Sequence, residues 1–280
     1  MGSSWTAWRN VPAAQRLSEE QALEHLAEDG FVVTSREVSR DGPWRIEIFG
    51  EGERPALHGA WTWEELPDRD WVAENQRSFR PFQVGPFWVH PSHVADGIPR
   101  DLLPLRIDAG LAFGTGTHAT TRGCLEMLAT LDPAETKNTV DVGCGSGILA
   151  IAAAKLWKRP VLGGDNDAEA VDVAIENAGL NGVAPLCHFV TSSGLEAPEL
   201  AKRAPYDLII ANILAGPLTG LADPFAAATG AGGCVLLSGL LVEQAELIVA
   251  TYVRRGFAFE RRIDLETGGA WWRTLLLRKD

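Results

Sequence analysis

The amino-acid sequence predicts an α/β protein in which a mostly parallel sheet follows a small α+β domain. Strands and helices alternate regularly from residue 105 onward, which is typical of a parallel sheet covered by helices on both faces. A glycine-rich loop lies between one of these strands and the helix after it. The first 75 residues differ from the rest in charge and in aromatic content, which indicates a separate domain.

The composition of the 280-residue chain is that of a globular protein, with 46% hydrophobic and 22% charged residues. Its longest apolar run, at 148–154, is far shorter than the ~18 residues of a membrane span, so we expect no membrane partner. The first ten residues lack the apolar segment of a secretory signal, and the four cysteines are scattered without a C-x-x-C pair. We therefore expect a cytoplasmic protein with neither a disulfide framework nor a metal site.

The negative charge is concentrated in the first part of the chain. The net charge is -12, and residues 1–75 contain 7 arginines, no lysine and 15 acidic residues. This balance disfavours nucleic acid as a direct partner, because phosphate binding requires a basic surface. An acidic domain suits a basic protein partner. The alternative interpretation is a charged surface that only keeps the protein soluble.

Local signals within residues 1–75 predict a helix followed by two strands. A capping box at 18–21 predicts the helix start, and Gly30 can end that helix. Residues 31–38 and 44–49 have strand patterns on either side of a turn.

Residues 76–94, which are rich in proline and aromatic residues, are predicted to be a linker to a catalytic domain over 95–280. Six of the ten tryptophans precede residue 75, and we expect most of them in the core of the small domain.

The pattern after residue 105 predicts helices and strands in alternation. Predicted helices cover 120–130, 148–156, 168–178 and 242–254. Predicted strands cover 139–142, 161–164, 186–190, 208–211, 234–237, 257–263 and 271–277. The last two strands are close in sequence, so we expect them to pair antiparallel at one edge of the sheet.

The glycine loop D-V-G-C-G-S-G at 141–147 is the first motif that indicates which ligand the protein binds. A dinucleotide fingerprint would require Gly or Ala at 148, where this chain has Ile148. Asp165 ends the next strand, where a carboxylate can accept hydrogen bonds from both hydroxyls of a ribose. Asp141 before the loop would repel phosphate. The spacing resembles class I methyltransferases, which use S-adenosyl-L-methionine, a cofactor with a ribose and no phosphate.

Two further motifs flank this loop. Asn212 follows an apolar strand, at the carboxyl end where open α/β sheets bind ligands. Its amide oxygen can accept a hydrogen bond from a substrate amine, and the alternative is a turn-forming Asn. The segment 112–121 is rich in Gly and Thr and enters a helix, which predicts a lid or a helix cap. Within it, His118 is either a general base or a structural hydrogen-bonding residue.

Together the motifs resemble the methyltransferases of large-subunit ribosomal protein eleven. The strings LAFGTGTHATT, DVGCGSGILAIAA, ANILAGPL and LSGLL with Gln244 occur in the order and spacing of that family. The resemblance extends from about residue 67 to the C-terminus, whereas residues 1–66 match the family only in length and α+β pattern.

The resemblance implies a class I methyltransferase domain and a ferredoxin-like N-terminal domain that holds the ribosomal protein. It implies transfer of methyl groups from S-adenosyl-L-methionine to lysine side chains and to the N-terminal α-amine. The residues that match the family's cofactor site are Thr121, Gly143, Gly145, Asp165 and Asn212, and Asn212 is also expected near the reacting methyl group.

Two alternatives remain open from the sequence. One is a related methyltransferase acting on another protein or a small amine, and the other is a non-enzymatic cofactor-binding module. The intact Asn212 argues against the second.

Overall fold

The structure is a computed structural model that describes residues 4–16, 19, 22–23, 26, 31–38, 42–65, 80–94, 97–107 and 118–280. The chain divides into two compact units, Met1–Trp71 and Val72–Asp280. Residues 18, 20 and 21 of the predicted capping box, Gly30 and residues 112–117 of the Gly/Thr-rich segment lie outside the described residues.

The first unit contains a four-stranded antiparallel sheet with the order β2-β3-β1-β4. Its strands are β1 (Ser4–Val11), β2 (Val32–Glu37), β3 (Trp44–Glu51) and β4 (Thr62–Glu65). Alternate residues of the two central strands, among them Trp5, Ile46 and Ile48, are fully buried. Leu23 and Leu26, between β1 and β2 in sequence, belong to the same cluster. The α+β prediction for this part is therefore confirmed, with β1 and β4 as strands that the sequence patterns did not predict.

A three-stranded sheet begins the second unit, in the order β5-β6-β7. Its strands are β5 (Phe82–Val84), β6 (Phe87–His90) and β7 (Leu103–Arg106). Two of them lie within residues 76–94, the predicted linker. Val84, Phe87 and Val89 are at most 3% exposed and belong to the main core of this unit, so these residues do more than connect two domains.

The large sheet has seven strands in the order β10-β9-β8-β11-β12-β14-β13. Its strands are β8 (Thr139–Val142), β9 (Val161–Asp165), β10 (Cys187–Thr191), β11 (Tyr206–Asn212), β12 (Thr229–Leu241), β13 (Phe257–Thr267) and β14 (Ala270–Lys279). The first five in this order pair in parallel, and β14 pairs antiparallel with both β12 and β13. The predicted antiparallel pair at the edge is confirmed.

Helices cover both faces of this sheet. They are α1 (Ala119–Leu128), α2 (Ile148–Trp157), α3 (Ala168–Leu180), α4 (Pro198–Ala201), α5 (Ala215–Gly220), α6 (Ala222–Ala228) and α7 (Ala245–Val253). Two apolar clusters lie on opposite faces, one built around α1 and α2 and the other around α5, α6 and α7. The α/β prediction with a mostly parallel sheet is confirmed. Among the described residues, no helix is both long enough and apolar enough to cross a membrane.

The strand order reverses between β8 and β11. The helices that follow these two strands lie on opposite faces, which opens a crevice beyond the strands' carboxyl ends. The loop after β8 and the ends of β9 and β11 meet at this edge, which positions the candidate site.

Candidate functional site

The glycine loop after β8 turns sharply back against β9. The backbone N–H groups of Gly143 and Cys144 donate to the carbonyl oxygen of Gly164, at 2.8 and 3.1 Å. Gly143 has a φ of +71°, and a Cβ at this position would lie 2.4 Å from Cγ2 of Ile213. A glycine is therefore required here because the turn after β11 approaches the loop closely.

Asp165 ends β9 with its carboxylate fixed by two backbone amides. Oδ2 accepts a hydrogen bond from the N–H of Gly145 at 2.8 Å, and Oδ1 accepts one from the N–H of Asp167 at 3.1 Å. An ionised carboxylate has about four acceptor positions, so each oxygen can accept a further donor from a ligand.

Asn212 ends β11 with its two amide atoms in different environments. Nδ2 donates to Oγ1 of Thr121 at 3.3 Å. Oδ1 is buried and has no hydrogen-bond partner in the described part of the chain. An unpaired buried acceptor is unfavourable by about 1–3 kcal/mol, so a donor group that reached Oδ1 would stabilise it.

His118 begins helix α1. Its Nδ1 lies 2.9 Å from Oγ1 of Thr120 and accepts a hydrogen bond from the N–H of Thr120 at 3.4 Å. Its ring meets that of Trp272 edge-on, with ring centroids 4.6 Å apart. Burial lowers the pKa of His118, which favours the neutral ring that can accept at Nδ1. This geometry supports the structural interpretation of His118 over the general-base interpretation.

A cavity of about 600 Å³ lies at this edge of the sheet. All five residues predicted from the sequence line it: Thr121, Gly143, Gly145, Asp165 and Asn212. Their neighbours in the lining are mostly apolar and include Ile148, Leu149, Ile213, Leu214, Pro217 and Trp272. Leu214 is 68% exposed, so the rim of the cavity presents an apolar side chain to solvent.

Two of the other lining residues come from strands that contain none of the five predicted site residues. Gly239 and Trp272 come from β12 and β14, far along the chain from the glycine loop. Gly239 has a φ of +86°, and a Cβ there would lie 2.2 Å from the carbonyl oxygen of Ile213. The backbone of β12 therefore presses directly on the turn that follows Asn212. The L-S-G-L-L string contained this glycine, but its closeness to Ile213 depends on strand pairing.

Asp141 is the buried charge beneath the loop. Its Oδ2 accepts from the N–H of Ala150 at 3.1 Å, and its Oδ1 has no partner among the described residues. Burial raises the pKa of Asp141 to about 7 and the nearby charge of Asp165 adds to this, while the hydrogen bond from Ala150 opposes it. The carboxyl group is therefore partly protonated near neutral pH.

Replacing Asp141 with Asn should change how stability depends on pH. An unfolded Asp has a pKa of about 3.9. Between pH 4 and 7 the folded protein therefore holds a proton that the unfolded chain has lost, so this group makes the free energy of unfolding fall as the pH rises. Above pH 7 its effect is constant. In Asp141→Asn this fall should be absent.

The unfolding free energies of wild type and Asp141→Asn should thus diverge by about 1 kcal/mol per pH unit as the pH rises through this window. Denaturant unfolding of both proteins at pH 5, 6, 7 and 8 measures the difference. Parallel pH profiles would show that the pKa of Asp141 is not raised.

The chain is similar to one family of known proteins over most of its length. Residues 20–279 match the family model described as "Ribosomal protein L11 methyltransferase (PrmA)". A protein of that name from Rhodopseudomonas palustris is 39% identical over 95% of this chain and 94% of its own length. The chain belongs to the ribosomal protein L11 methyltransferase family.

Further relatives of this methyltransferase family agree. A ribosomal protein L11 methyltransferase from Brucella abortus is 38% identical over 88% of this chain and 90% of its own length. The crystal structure of a ribosomal protein L11 methylase from Lactobacillus delbrueckii subsp. bulgaricus superposes with a TM-score of 0.60 and 31% identity. It covers 72% of this chain and 100% of the other. The family match begins at residue 20, so it includes most of the first unit. The motifs that carry the resemblance all lie in the second unit.

Proposed function

We propose that this protein transfers methyl groups from S-adenosyl-L-methionine to amino groups of ribosomal protein L11, on lysine side chains and on the N-terminal α-amine. The observation that carries the proposal is Asn212, which lines the cavity of a member of this family and has a buried Oδ1 without a hydrogen-bond partner among the described residues. An amide oxygen without a partner is suited to accept the N–H of an amine and to direct its nitrogen lone pair into the cavity.

The residues of the cavity fit this cofactor better than they fit a dinucleotide. Asp165 retains acceptor positions for the two hydroxyls of a ribose, and Gly143 and Gly145 line the cavity without side chains. Thr121 completes the set of residues that would hold the cofactor. The carboxyl group of Asp165 lines the cavity beside the loop, which disfavours a phosphate there. The cofactor would supply an electrophilic methyl group on a sulfonium.

The chain's own residues contribute by positioning the substrate amine and by excluding water from it. The attacking amine must be neutral, and deprotonating a lysine of pKa about 10.4 near pH 7.4 requires about 4 kcal/mol, while an α-amine requires less than about 1. The apolar wall formed by Ile213, Leu214 and Trp272 disfavours the charged ammonium form of a bound lysine. Since His118 caps α1, we infer that the proton leaves to water before attack.

The test is direct methylation of purified ribosomal protein L11 with S-adenosyl-L-methionine, read by mass spectrometry of the whole protein and of its peptides. We expect mass increases in steps of one methyl group on lysines and on the N-terminus. L11 from cells that lack this gene should lack the same groups. Fully methylated L11 in those cells would exclude this protein as its methyltransferase.

The first unit is proposed to recognise the ribosomal protein. Residues 1–75 contain 15 acidic residues and 7 arginines, a charge that complements a basic ribosomal protein. Every described residue that lines the cavity belongs to the second unit. Recognition of the protein and transfer of the methyl group would therefore depend on different parts of the chain.

Removing the first unit should abolish methylation of L11 without weakening cofactor binding, provided that the truncated chain retains β5 and β6. A chain that begins at residue 80 keeps the buried residues Val84, Phe87 and Val89, and we expect it to bind S-adenosyl-L-methionine normally while losing methylation of L11. A chain that begins at residue 95 removes all three, each of which contributes about 1.5–3 kcal/mol by burial. We expect it to be unstable.

Calorimetric binding and L11 methylation assays on both truncated chains test this division. Full methylation of L11 by the chain that begins at residue 80 would show that the first unit is not the recognition domain. A stable chain beginning at residue 95 would show that β5 and β6 are dispensable for the core.

A further inference from the structure

We propose that Asn177 is a positioning residue for the cofactor, because it holds the glycine loop in the conformation that binds S-adenosyl-L-methionine. The inference rests on the proposed function and deepens it, since it assigns part of the cofactor affinity to a residue outside the cavity. Asn177 lies in α3, is 2% exposed and is not among the described residues that line the cavity. It acts through the backbone of the loop.

The hydrogen bond of Asn177 to the loop has only one possible direction. Nδ2 of Asn177 donates to the carbonyl oxygen of Ser146 at 2.9 Å. A backbone carbonyl can only accept, so this contact fixes which end of the amide faces the loop. Ser146 is 2% exposed, and a buried carbonyl that loses its donor is strongly disfavoured.

The peptide group between Ser146 and Gly147 is bonded at both of its ends. Its carbonyl oxygen accepts from Asn177, and its N–H, that of Gly147, donates to the carbonyl oxygen of Cys144 at 2.8 Å. Loss of the Asn177 donor therefore frees this peptide group to rotate toward another partner.

The bond from Gly147 connects this peptide group to the residue proposed to bind the ribose. The peptide group between Cys144 and Gly145 accepts from Gly147 at its carbonyl oxygen and donates from the N–H of Gly145 to Oδ2 of Asp165 at 2.8 Å. Rotation of the first peptide group would break the bond to Cys144 and loosen the second. Asn177 thus secures the loop at the end opposite to Asp165.

Helix α3 is a fixed support for Asn177. A Cβ on Gly147 would lie 2.9 Å from Cβ of Ala174, so the loop packs directly on the turn of α3 that precedes Asn177. Asn181, just after the helix, accepts from the N–H of Arg106 at 2.9 Å and donates to its carbonyl oxygen at 2.6 Å. These bonds fasten the end of α3 to β7, so the amide of Asn177 is presented from a helix that is held at its C-terminal end.

The substitution Asn177→Leu removes the donor and keeps a branched side chain of similar size. The cofactor binds only molecules with a formed loop, so its apparent affinity falls with their fraction. Because an unpaired buried carbonyl disfavours that conformation, we expect the Kd of S-adenosyl-L-methionine to rise about five- to tenfold. Calorimetry on the folded variant measures this rise.

Amide hydrogen exchange, followed by NMR in the absence of cofactor, shows where the variant loosens. The N–H groups of Gly145 and Gly147 should exchange faster than in wild type. Those of Gly143 and Cys144 donate to the carbonyl oxygen of Gly164 and should stay protected. A residue that only stabilises the whole domain would raise all four exchange rates alike.

The substitution Asn177→Asp tests the same bond if the Leu variant does not fold. An ionised carboxylate cannot donate to the Ser146 carbonyl, whereas a protonated carboxyl group can. Burial raises the pKa of such a carboxyl group. Relative to wild type at the same pH, we expect weaker cofactor binding at pH 8 and a smaller difference at pH 5.5.

Asn138→Leu is a matched control at the opposite end of the sheet. Nδ2 of Asn138, just before β8, donates to the carbonyl oxygens of Arg203 and Pro205 at 2.8 and 2.7 Å. This variant also removes an amide that donates to backbone carbonyls. It should lower the free energy of unfolding and leave the Kd of S-adenosyl-L-methionine unchanged.

The outcomes separate this inference from the proposed function. If wild type does not bind S-adenosyl-L-methionine, the proposed function fails and the inference falls with it. If wild type binds it and the Asn177 variants bind it equally well, the inference alone is wrong. An equal loss of affinity in Asn138→Leu would also overturn it, because the effect would then belong to general destabilisation.

Discussion

The Asn212→Ala variant should methylate ribosomal protein L11 at least about 100-fold more slowly than wild type at saturating substrate. The amide oxygen contributes most in the transition state, where the attacking nitrogen begins to carry positive charge. Loss of one preorganised polar partner in a dry site typically lowers kcat by about 10²- to 10³-fold. The affinity for S-adenosyl-L-methionine should fall much less, because the contacts at Asp165 and at the glycine loop remain.

Steady-state kinetics and calorimetry on the purified variant measure both quantities. Asn212→Asp is the control, because it keeps an acceptor at the same position and should retain more activity than Asn212→Ala. Its added charge can tighten cofactor binding, since the sulfonium is positive. Equal turnover by wild type and Asn212→Ala would remove Asn212 from the mechanism and leave it as a turn residue.

The Asp165→Ala variant should bind S-adenosyl-L-methionine at least about tenfold more weakly. Hydrogen bonds to an ionised group are worth about 1.5–3 kcal/mol each, and a ribose would make two of them to this carboxylate. The variant also loses the acceptor for the N–H of Gly145, which loosens the loop that forms one wall of the cavity. Binding of the cofactor, measured by calorimetry, is the appropriate readout.

A matched control for charge is available two residues away. Asp167 is exposed and caps α3 by accepting from the N–H of Glu169 at 2.9 Å. Asp167→Asn removes one negative charge near the site and keeps the cap, since Asn is an equally good N-cap residue. Its cofactor affinity should match wild type. Unchanged affinity in a folded Asp165→Ala protein would contradict the assignment of the ribose to this carboxylate.

Much of the larger unit was predictable because its signals are local. Strand 139–142 was predicted with the observed bounds, and the helix predicted at 148–156 ends one residue later in the structure. Apolar runs bounded by glycine and charge are sufficient to locate buried strands. The strands at β1, β4 and β5–β7 were not predicted, because each is short or mixes polar residues, prolines and aromatics without a clear alternation.

Four of the five predicted site residues end a strand or lie in the loop directly after one, whereas Thr121 lies in α1 and was predicted from the family resemblance. The carboxyl ends of β8, β9 and β11 lie at one edge of a parallel sheet, so motifs that follow these strands converge there. The positions of Trp272 and Gly239 at the cavity could not be predicted this way. They reach the cavity through the antiparallel addition of β14 to β12, and strand pairing between distant segments leaves no local signature.

The sequence by itself determined the α/β class, the glycine loop with its following acid, and the family resemblance, because each depends on residue types at short, regular spacing. Only the tertiary structure decided which atoms of those residues have hydrogen-bond partners within the chain. It placed the N–H of Gly145 on Asp165, turned Nδ2 of Asn212 toward Thr121 and left Oδ1 without a partner. Hydrogen-bond partners 20 and 91 residues apart are set by the packing of α1 and β9 against the loop and the strand end, and no local pattern encodes such distances.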